Sequence, residues 1–256
     1  MKLNSTKSRA FVLAALAGVV GLGAAVPLSA QLNIGNAIKS AKKVADAVSY
    51  SDEEMVSFFS QMAEDMDSKN PVATMDDPYG QRLATLTEGL DNYDGLDLDI
   101  KAYLVKDVNA FAMGDGTVRI MAGLMDKFED DEIRCVIGHE IGHVKLEHGQ
   151  KRMRGALQKD AALSVAGTAS GDVRRIANSE LGKLFDNVVT AQHSQKAERR
   201  ADDYAIEFMQ ANDYDAEACI TAMEKLSTLS SGGGIELLKT HPSPKKRAKR
   251  MRKQIS

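Results

Sequence analysis

Three features that would define whole classes of protein are missing from this sequence. It has no excess of positive charge: 33 Lys and Arg residues face 36 Asp and Glu residues, mixed along the chain. A nucleic acid is therefore not expected as the partner. It has no internal repeat, and only one hydrophobic run, near the N-terminus, is long enough to span a bilayer. A chain with several membrane-spanning helices is therefore not expected either.

Residues 1–30 are predicted to form a secretory signal peptide. Basic residues precede an apolar run over residues 10–26, and Leu28-Ser29-Ala30 offers a small-residue cleavage site. A retained membrane anchor is the alternative, and the small residues and Pro27 favour cleavage. No cysteine stands near the cleavage point, so a lipid anchor is not expected. The predicted location is periplasmic, with peripheral association with the membrane or with outer-membrane proteins left open.

Removal of the signal peptide leaves about 225 residues, enough for one sizeable core. We divide them into an N-terminal helical segment, 31–75, and a main domain, 76–256. In the first, Ser51 and Glu54 form a capping-box signature. Helical periodicity and capping signals predict helices over residues 33–49, 51–68, 77–90, 173–191, 195–211, 215–229 and 243–254. The segment 230–234, Ser-Ser-Gly-Gly-Gly, is predicted to be a flexible break.

Between these helices the hydrophobic period changes to that of a strand. Residues 99–107 alternate, and two short apolar runs in 109–121 flank Gly114-Asp115-Gly116, which indicates a β-hairpin. The predicted fold is therefore α+β, mainly helical, with a small sheet before one central helix. Asn109–Met113 is a candidate edge strand for an extended peptide, or else a buried strand that supports the helix.

The central helix carries the sequence His139-Glu140-Ile-Gly-His143. Positions four apart lie on one face of a helix, so His139 and His143 can bind one ion, and Glu140 can act as general base toward a water on it. This is the arrangement of zinc hydrolases, with one Zn²⁺ per chain as the expected cofactor. Gly138 and Gly142 weaken the helix, which indicates a close approach to its backbone. The alternative is a pair of ordinary histidines on a wet helix face.

A catalytic zinc site needs a third protein ligand. The metzincin spacing fails here, because Leu146 and Gly149 stand where it needs Gly and His. Of the glutamates after His143, only Glu198 has an acid four residues later, Asp202, which can hold a histidine ligand by a hydrogen bond. Glu198 is therefore the predicted third ligand, with an ordinary Glu-Arg helix pair as the alternative. His148 is predicted to point away, about 180° around the helix from His139, and to have a structural role or none.

Three segments together resemble the HtpX-like and CAAX-prenyl-protease-like zinc metalloproteases, metallopeptidase family forty-eight. They are "FEDDEIRCVIGHEIGHVKLEHG", "SQKAERRADDYA" and "THPSPKKRAKRM", and the resemblance covers residues 80–256. Within the family the chain looks most like the small exported envelope proteases of the LoiP type, which are commonly lipoproteins. The resemblance implies a zincin-like metalloprotease domain over 76–256, with a glutamate as third ligand. It also implies that His241 faces the zinc, as oxyanion stabiliser or resting-state ligand, and that Arg247 orders the site through its carboxylates.

The first functional hypothesis is an exported zinc endopeptidase that cleaves misfolded or misassembled envelope proteins or peptides, with His241 gating the site. The second is an envelope chaperone or assembly factor whose zinc site is structural or autoinhibited. A zinc hydrolase of non-protein substrates has no supporting feature. Cys135 and Cys219 are compatible with a disulfide or with free thiols. The basic run 245–253 is either a solvated helix face or a patch for an anionic partner.

Overall fold

The computed structural model describes residues 51–156, 191–230 and 235–255. The predicted signal peptide, the predicted helix over 33–49, all but the last residue of the predicted helix 173–191, and the glycine-rich break after Ser230 lie outside the described residues. The helices are α1 (Asp52–Lys69), α2 (Pro78–Leu86), α3 (Ala122–Met125), α4 (Asp130–Lys145), α5 (Gln195–Ala211), α6 (Glu217–Leu229), α7 (Leu237–Thr240) and α8 (Pro244–Ile255). Residues 148–156 are also helical. The strands are β1 (Asp99–Tyr103), β2 (Ala110–Ala112) and β3 (Thr117–Met121). This confirms the predicted mainly helical α+β fold.

The three strands form one sheet in the order β1-β3-β2. Strand β2 pairs antiparallel with β3 across the predicted Gly-Asp-Gly turn, so the hairpin is confirmed. Gly116 has a φ of 102°, and a Cβ there would lie 1.9 Å from the carbonyl oxygen of Asp97, so the turn requires glycine. Strand β1 pairs parallel with β3. Among the described strands, β2 is thus an edge of the sheet beside α4, in the place predicted for a peptide-accepting strand.

Helix α1 packs onto the rest of the described chain. Ser51 and Glu54 form the predicted capping box. The apolar face of α1 meets the hairpin and the segment 148–156 in a cluster of Met55, Phe59, Ala63, Met113 and Met153. At its C-terminal end, Asp67 accepts hydrogen bonds from Arg119 and Tyr103. The described part of the N-terminal segment therefore packs against the sheet.

Helix α4 lies in the main core between the sheet and the helices α5 and α6. The close approach that Gly138 and Gly142 predicted is made by α5. A Cβ on Gly138 would lie 2.5 Å from the Phe208 ring, and one on Gly142 would lie 3.2 Å from the Cα of Ala201. The two glycines thus let α5 approach the face of α4 that carries the histidines.

A disulfide joins Cys135 of α4 to Cys219 of α6, with a Cα–Cα distance of 5.3 Å. Both residues are buried. Of the two alternatives compatible with the sequence, the structure shows the disulfide. Within the described ranges, no helix combines the length and the hydropathy needed to cross a bilayer.

Candidate metal centre

Helix α4 presents His139, Glu140 and His143 to the interior of the protein. The helix begins after Glu129, which forms a capping box with Glu132, and three acidic residues lie in its first turn, where they favour the positive end of the helix dipole. His139, Glu140 and His143 are all buried. The Nε2 atoms of His139 and His143 lie 3.0 Å apart. The two imidazoles therefore converge on one point, and the alternative of two histidines on a wet face is wrong.

Helix α5 brings the predicted carboxylates to this point. Its N-cap is Ser194, whose hydroxyl accepts a hydrogen bond from the Ala197 amide. Glu198 Oε1 lies 3.5 Å from His143 Nε2, and Glu198 Oε2 lies 3.8 Å from His139 Nε2. One turn later, Asp202 Oδ1 lies 3.2 Å from His139 Nδ1. A carboxylate on Nδ1 favours the tautomer whose lone pair is on Nε2, as a metal ligand needs.

The segment after α7 completes the cluster with His241. Its Nδ1 lies 3.0 Å from Glu198 Oε1 and 3.3 Å from His139 Nε2. Arg247, on α8, binds Asp202 through Nε and Nη2, and its Nη1 lies 2.9 Å from Glu198 Oε2. The sequence-predicted residues His139, His143, Glu198, His241, Asp202 and Arg247 thus all meet in one buried cluster.

These side chains have the donor set that a zinc ion requires. Four residues, His139, His143, Glu198 and His241, each offer one ligand atom, and these atoms lie within 4.8 Å of one another. In a tetrahedral site with bonds of about 2.0–2.1 Å, donor atoms lie about 3.3 Å apart, close to the separations found here. Two Nε2 lone pairs that face each other at 3.0 Å repel unless a cation or proton lies between them. The cluster can therefore hold a metal ion.

Charge inside the cluster is set by burial and by the opposing carboxylates. Burial opposes ionisation of Glu198, but the neighbouring histidines hold its pKa well below the ordinary value. Burial lowers the pKa of His143, so its imidazole is neutral and able to bind a metal. Burial also disfavours the charged form of His241, but Glu198 and Glu140 raise its pKa above the ordinary value.

Glu140 lies beside the donor cluster without joining it. Its Oε1 is 3.6 Å from His241 Nε2. This oxygen is buried and has no hydrogen-bond partner among the described residues. A buried carboxylate oxygen without a donor is disfavoured unless it accepts a proton or a hydrogen bond during function. The position suits a general base that acts on a water at the cluster.

His148 lies outside the donor cluster, as predicted, but the reason given from the helix angle does not hold. Helix α4 ends at Lys145, and Glu147, with a φ of 56°, reverses the chain, so the angle around a continuous helix does not apply. His148 Nδ1 lies 3.0 Å from His143 Nδ1. His148 therefore contacts the imidazole of His143 on the side away from the cluster and helps to fix its orientation.

Sequence reasoning missed His193. Its ring stacks on that of His241 at a centroid distance of 5.0 Å and lies 4.0 Å from that of His143. Arg152 Nη2 lies 3.2 Å from His193 Nε2. Burial lowers the pKa of His193 to about 2, so this ring is neutral. All five histidines of the chain meet at this centre, and their small number is the one sequence feature that could have drawn attention to His193.

Comparison with known proteins agrees with this geometry. Residues 85–255 match Peptidase family M48. The chain is 36% identical to Metalloprotease LoiP of Escherichia coli K12 over 220 residues, which is 86% of this chain and 87% of that protein. It is 33% identical to Metalloprotease YcaL of the same strain over 221 residues, with the same coverage. It is 29% identical to the Beta-barrel assembly-enhancing protease of that strain over 152 residues, which is 55% of this chain and 31% of that protein.

The family match covers more than half of the chain, and the two first relatives match over most of their length. It includes the segments that carry every residue of the metal cluster. The chain therefore belongs to peptidase family M48 and is a metalloendopeptidase.

Proposed function

We propose that this protein is an exported, zinc-dependent endopeptidase that cleaves misfolded or misassembled proteins of the cell envelope. The observation that carries the proposal is the convergence of His139, His143 and Glu198 on one point, with the unpaired oxygen of Glu140 beside it. Zinc held by these three residues would polarise the substrate carbonyl and lower the pKa of an attacking water.

Each of the surrounding residues would then have a separate role in hydrolysis. Glu140 takes the proton from the attacking water and passes it to the nitrogen of the leaving amine. Asp202 holds the His139 ring through Nδ1, and Arg247 holds Asp202 and balances the negative charge of both carboxylates. Strand β2, at the edge of the sheet beside α4, offers main-chain groups to an extended substrate.

In this structure His241 is the fourth residue of the donor set. A water that attacks the substrate would need this fourth coordination position. We propose that this is a closed, resting arrangement and that His241 must vacate this position before hydrolysis.

Two observations support the envelope as the place of action. The N-terminal residues have the pattern of a signal peptide, and the buried Cys135–Cys219 disulfide is stable in an oxidising compartment. The name of one relative, the Beta-barrel assembly-enhancing protease, is compatible with a role in the assembly of β-barrel proteins.

The test compares the purified mature chain with its Glu140→Gln variant. We expect about one zinc per chain in both proteins, cleavage of unfolded casein by the wild type, and a loss of at least about a hundredfold in the variant. Glu147→Gln, at an exposed glutamate just after α4, is the matched control and should cleave normally.

Unchanged cleavage by Glu140→Gln would contradict the mechanism. If neither protein cleaves and both suppress aggregation of an unfolded protein, the chaperone hypothesis replaces the protease.

A further inference from the structure

A basic cleft adjoins the metal centre on the side of His143. It encloses about 440 Å³ between the helical segment 148–156 and residues 192–200. His148 and His193 belong to its wall, and both rings contact His143. The cleft is large enough for a side chain of a bound peptide, and it begins beside the residues proposed to bind the metal.

The lining of this cleft is cationic. Lys151, Arg152, Lys196 and Arg200 line it, and no carboxylate does so among the described residues. Lys196 and Arg200 are four positions apart and share one face of α5. The same helix points Glu198 toward the metal centre. One helix thus supplies a metal-binding carboxylate on one face and two cations to the cleft on another.

Three of these cations have no acidic partner in the described part of the chain. Lys151 lies 3.1 Å from Glu147 in an exposed pair, but Arg152, Lys196 and Arg200 form no ion pair there. Arg152 donates to the carbonyl of Ala191, and its Nε is buried without an acceptor. A largely buried guanidinium without a carboxylate partner is unfavourable, and an anionic group in the cleft would balance its charge.

We infer that the cleft is a substrate subsite that binds the side-chain carboxylate of a glutamate or aspartate in the peptide. The inference rests on the peptide hydrolysis proposed above and specifies the substrate more narrowly. The cleft begins at His148 and His193, which contact His143, and an extended chain advances about 3.3 Å per residue, so we place the acidic residue near the scissile bond. The cations of the cleft thus act as specificity determinants and take no part in bond cleavage.

The test uses amidated peptides with a single scissile bond. Glutamate is placed at each position on either side of this bond in turn, and each peptide is matched by one with glutamine at the same position. At one position we expect kcat/KM to be about tenfold higher for glutamate, and this ratio should fall at high salt.

Substitutions in the cleft test whether its cations cause the preference for glutamate. In the double variant Lys196→Gln, Arg200→Gln, the ratio of kcat/KM for glutamate over glutamine should fall close to one. The double variant Lys196→Glu, Arg200→Glu should instead prefer a peptide with lysine at that position. Lys249→Gln, at an exposed lysine of α8 that does not line the cleft, is the matched control and should keep the wild-type ratio. Circular dichroism checks that each variant is folded.

If the wild type cleaves the glutamate and glutamine peptides with equal kcat/KM at every peptide position, the inference is overturned. A preference that appears only for peptides with a free C-terminal carboxylate also overturns it. If the wild type cleaves no peptide, fluorescence anisotropy measures how tightly the Glu140→Gln variant binds each glutamate peptide and its glutamine match. Tighter binding of the glutamate peptide then supports the subsite without the protease, and equal binding overturns it.

Discussion

Asp202 Oδ1 lies 3.2 Å from His139 Nδ1, and Arg247 holds the same carboxylate from the other side. A carboxylate on the far nitrogen of a metal-binding histidine fixes its tautomer and increases its basicity. Asp202 is fully buried, so this contact is not replaced by water.

Asp202→Asn should therefore weaken zinc binding by about 10–100-fold, because the neutral amide holds the His139 ring less firmly. Competition with a chelator of known zinc affinity measures the change. Asp203→Asn is the matched control, since the neighbouring Asp203 contacts Arg250 and lies outside the cluster. Equal zinc affinity in the two variants would contradict the proposed role of Asp202.

His241→Ala should raise the rate of peptide hydrolysis several-fold and leave zinc bound. The substitution removes the side chain that fills the fourth coordination position, while His139, His143 and Glu198 remain as ligands. The measurement is cleavage of a short peptide together with zinc content per chain. Lys239→Ala, at an exposed lysine of α7, serves as the control. An unchanged rate, or loss of zinc, would argue against a gating His241.

Reduction of the Cys135–Cys219 disulfide should destabilise the fold. The two cysteines are 84 residues apart, and a cross-link of that length contributes roughly 3–5 kcal/mol to the free energy of unfolding. Urea denaturation with and without dithiothreitol measures the difference. The double variant Cys135→Ala, Cys219→Ala should already be destabilised and should not respond to the reductant. Equal stability of oxidised and reduced wild type would refute the prediction.

Acid should weaken the attachment of α1 to the sheet. Burial alone would raise the pKa of Asp67, but hydrogen bonds from Arg119 and Tyr103 lower it to about 2. The folded-state pKa is thus below the unfolded value of about 3.9, so the stabilisation is complete above pH 4 and is lost as the pH falls toward 2.

Asp67→Asn should therefore lower the free energy of unfolding by roughly 1–2 kcal/mol at pH 6 and by much less near pH 2. Chemical denaturation at a series of pH values measures this dependence. Asp65→Asn, at a half-exposed aspartate on the same helix that pairs with Lys69 and not with the sheet, is the control. A difference between the wild type and Asp67→Asn that stays constant with pH would contradict the assignment.

Local sequence rules predicted the parts of the site that depend on helix geometry. His139 and His143 follow from a four-residue spacing, and Glu198 was identified because an acid stands one turn after it. Asp202 and Glu198 then meet the histidines because α5 packs on the two glycines of α4. His139, His143, Glu198 and Asp202 were predictable because α4 and α5 each carry a periodic signal, whereas His241 and Arg247 were predicted only from the family resemblance.

Other features depend on tertiary structure that the sequence does not encode locally. His193 precedes the N-cap of α5 and has no periodic partner, so only the folded chain places it between His143 and His241. The helix angle used for His148 does not apply, because α4 ends at Lys145 and the chain reverses at Glu147. The parallel pairing of β1 with β3 and the disulfide likewise depend on contacts between distant segments.

A crystal of the mature chain grown with zinc tests the central claim most directly, through an anomalous difference map at the zinc edge. We predict one peak per chain, about 2.0–2.2 Å from His139 Nε2, His143 Nε2 and a carboxylate oxygen of Glu198. The absence of a peak among these residues, or a peak from which Glu198 is turned away, would contradict the account.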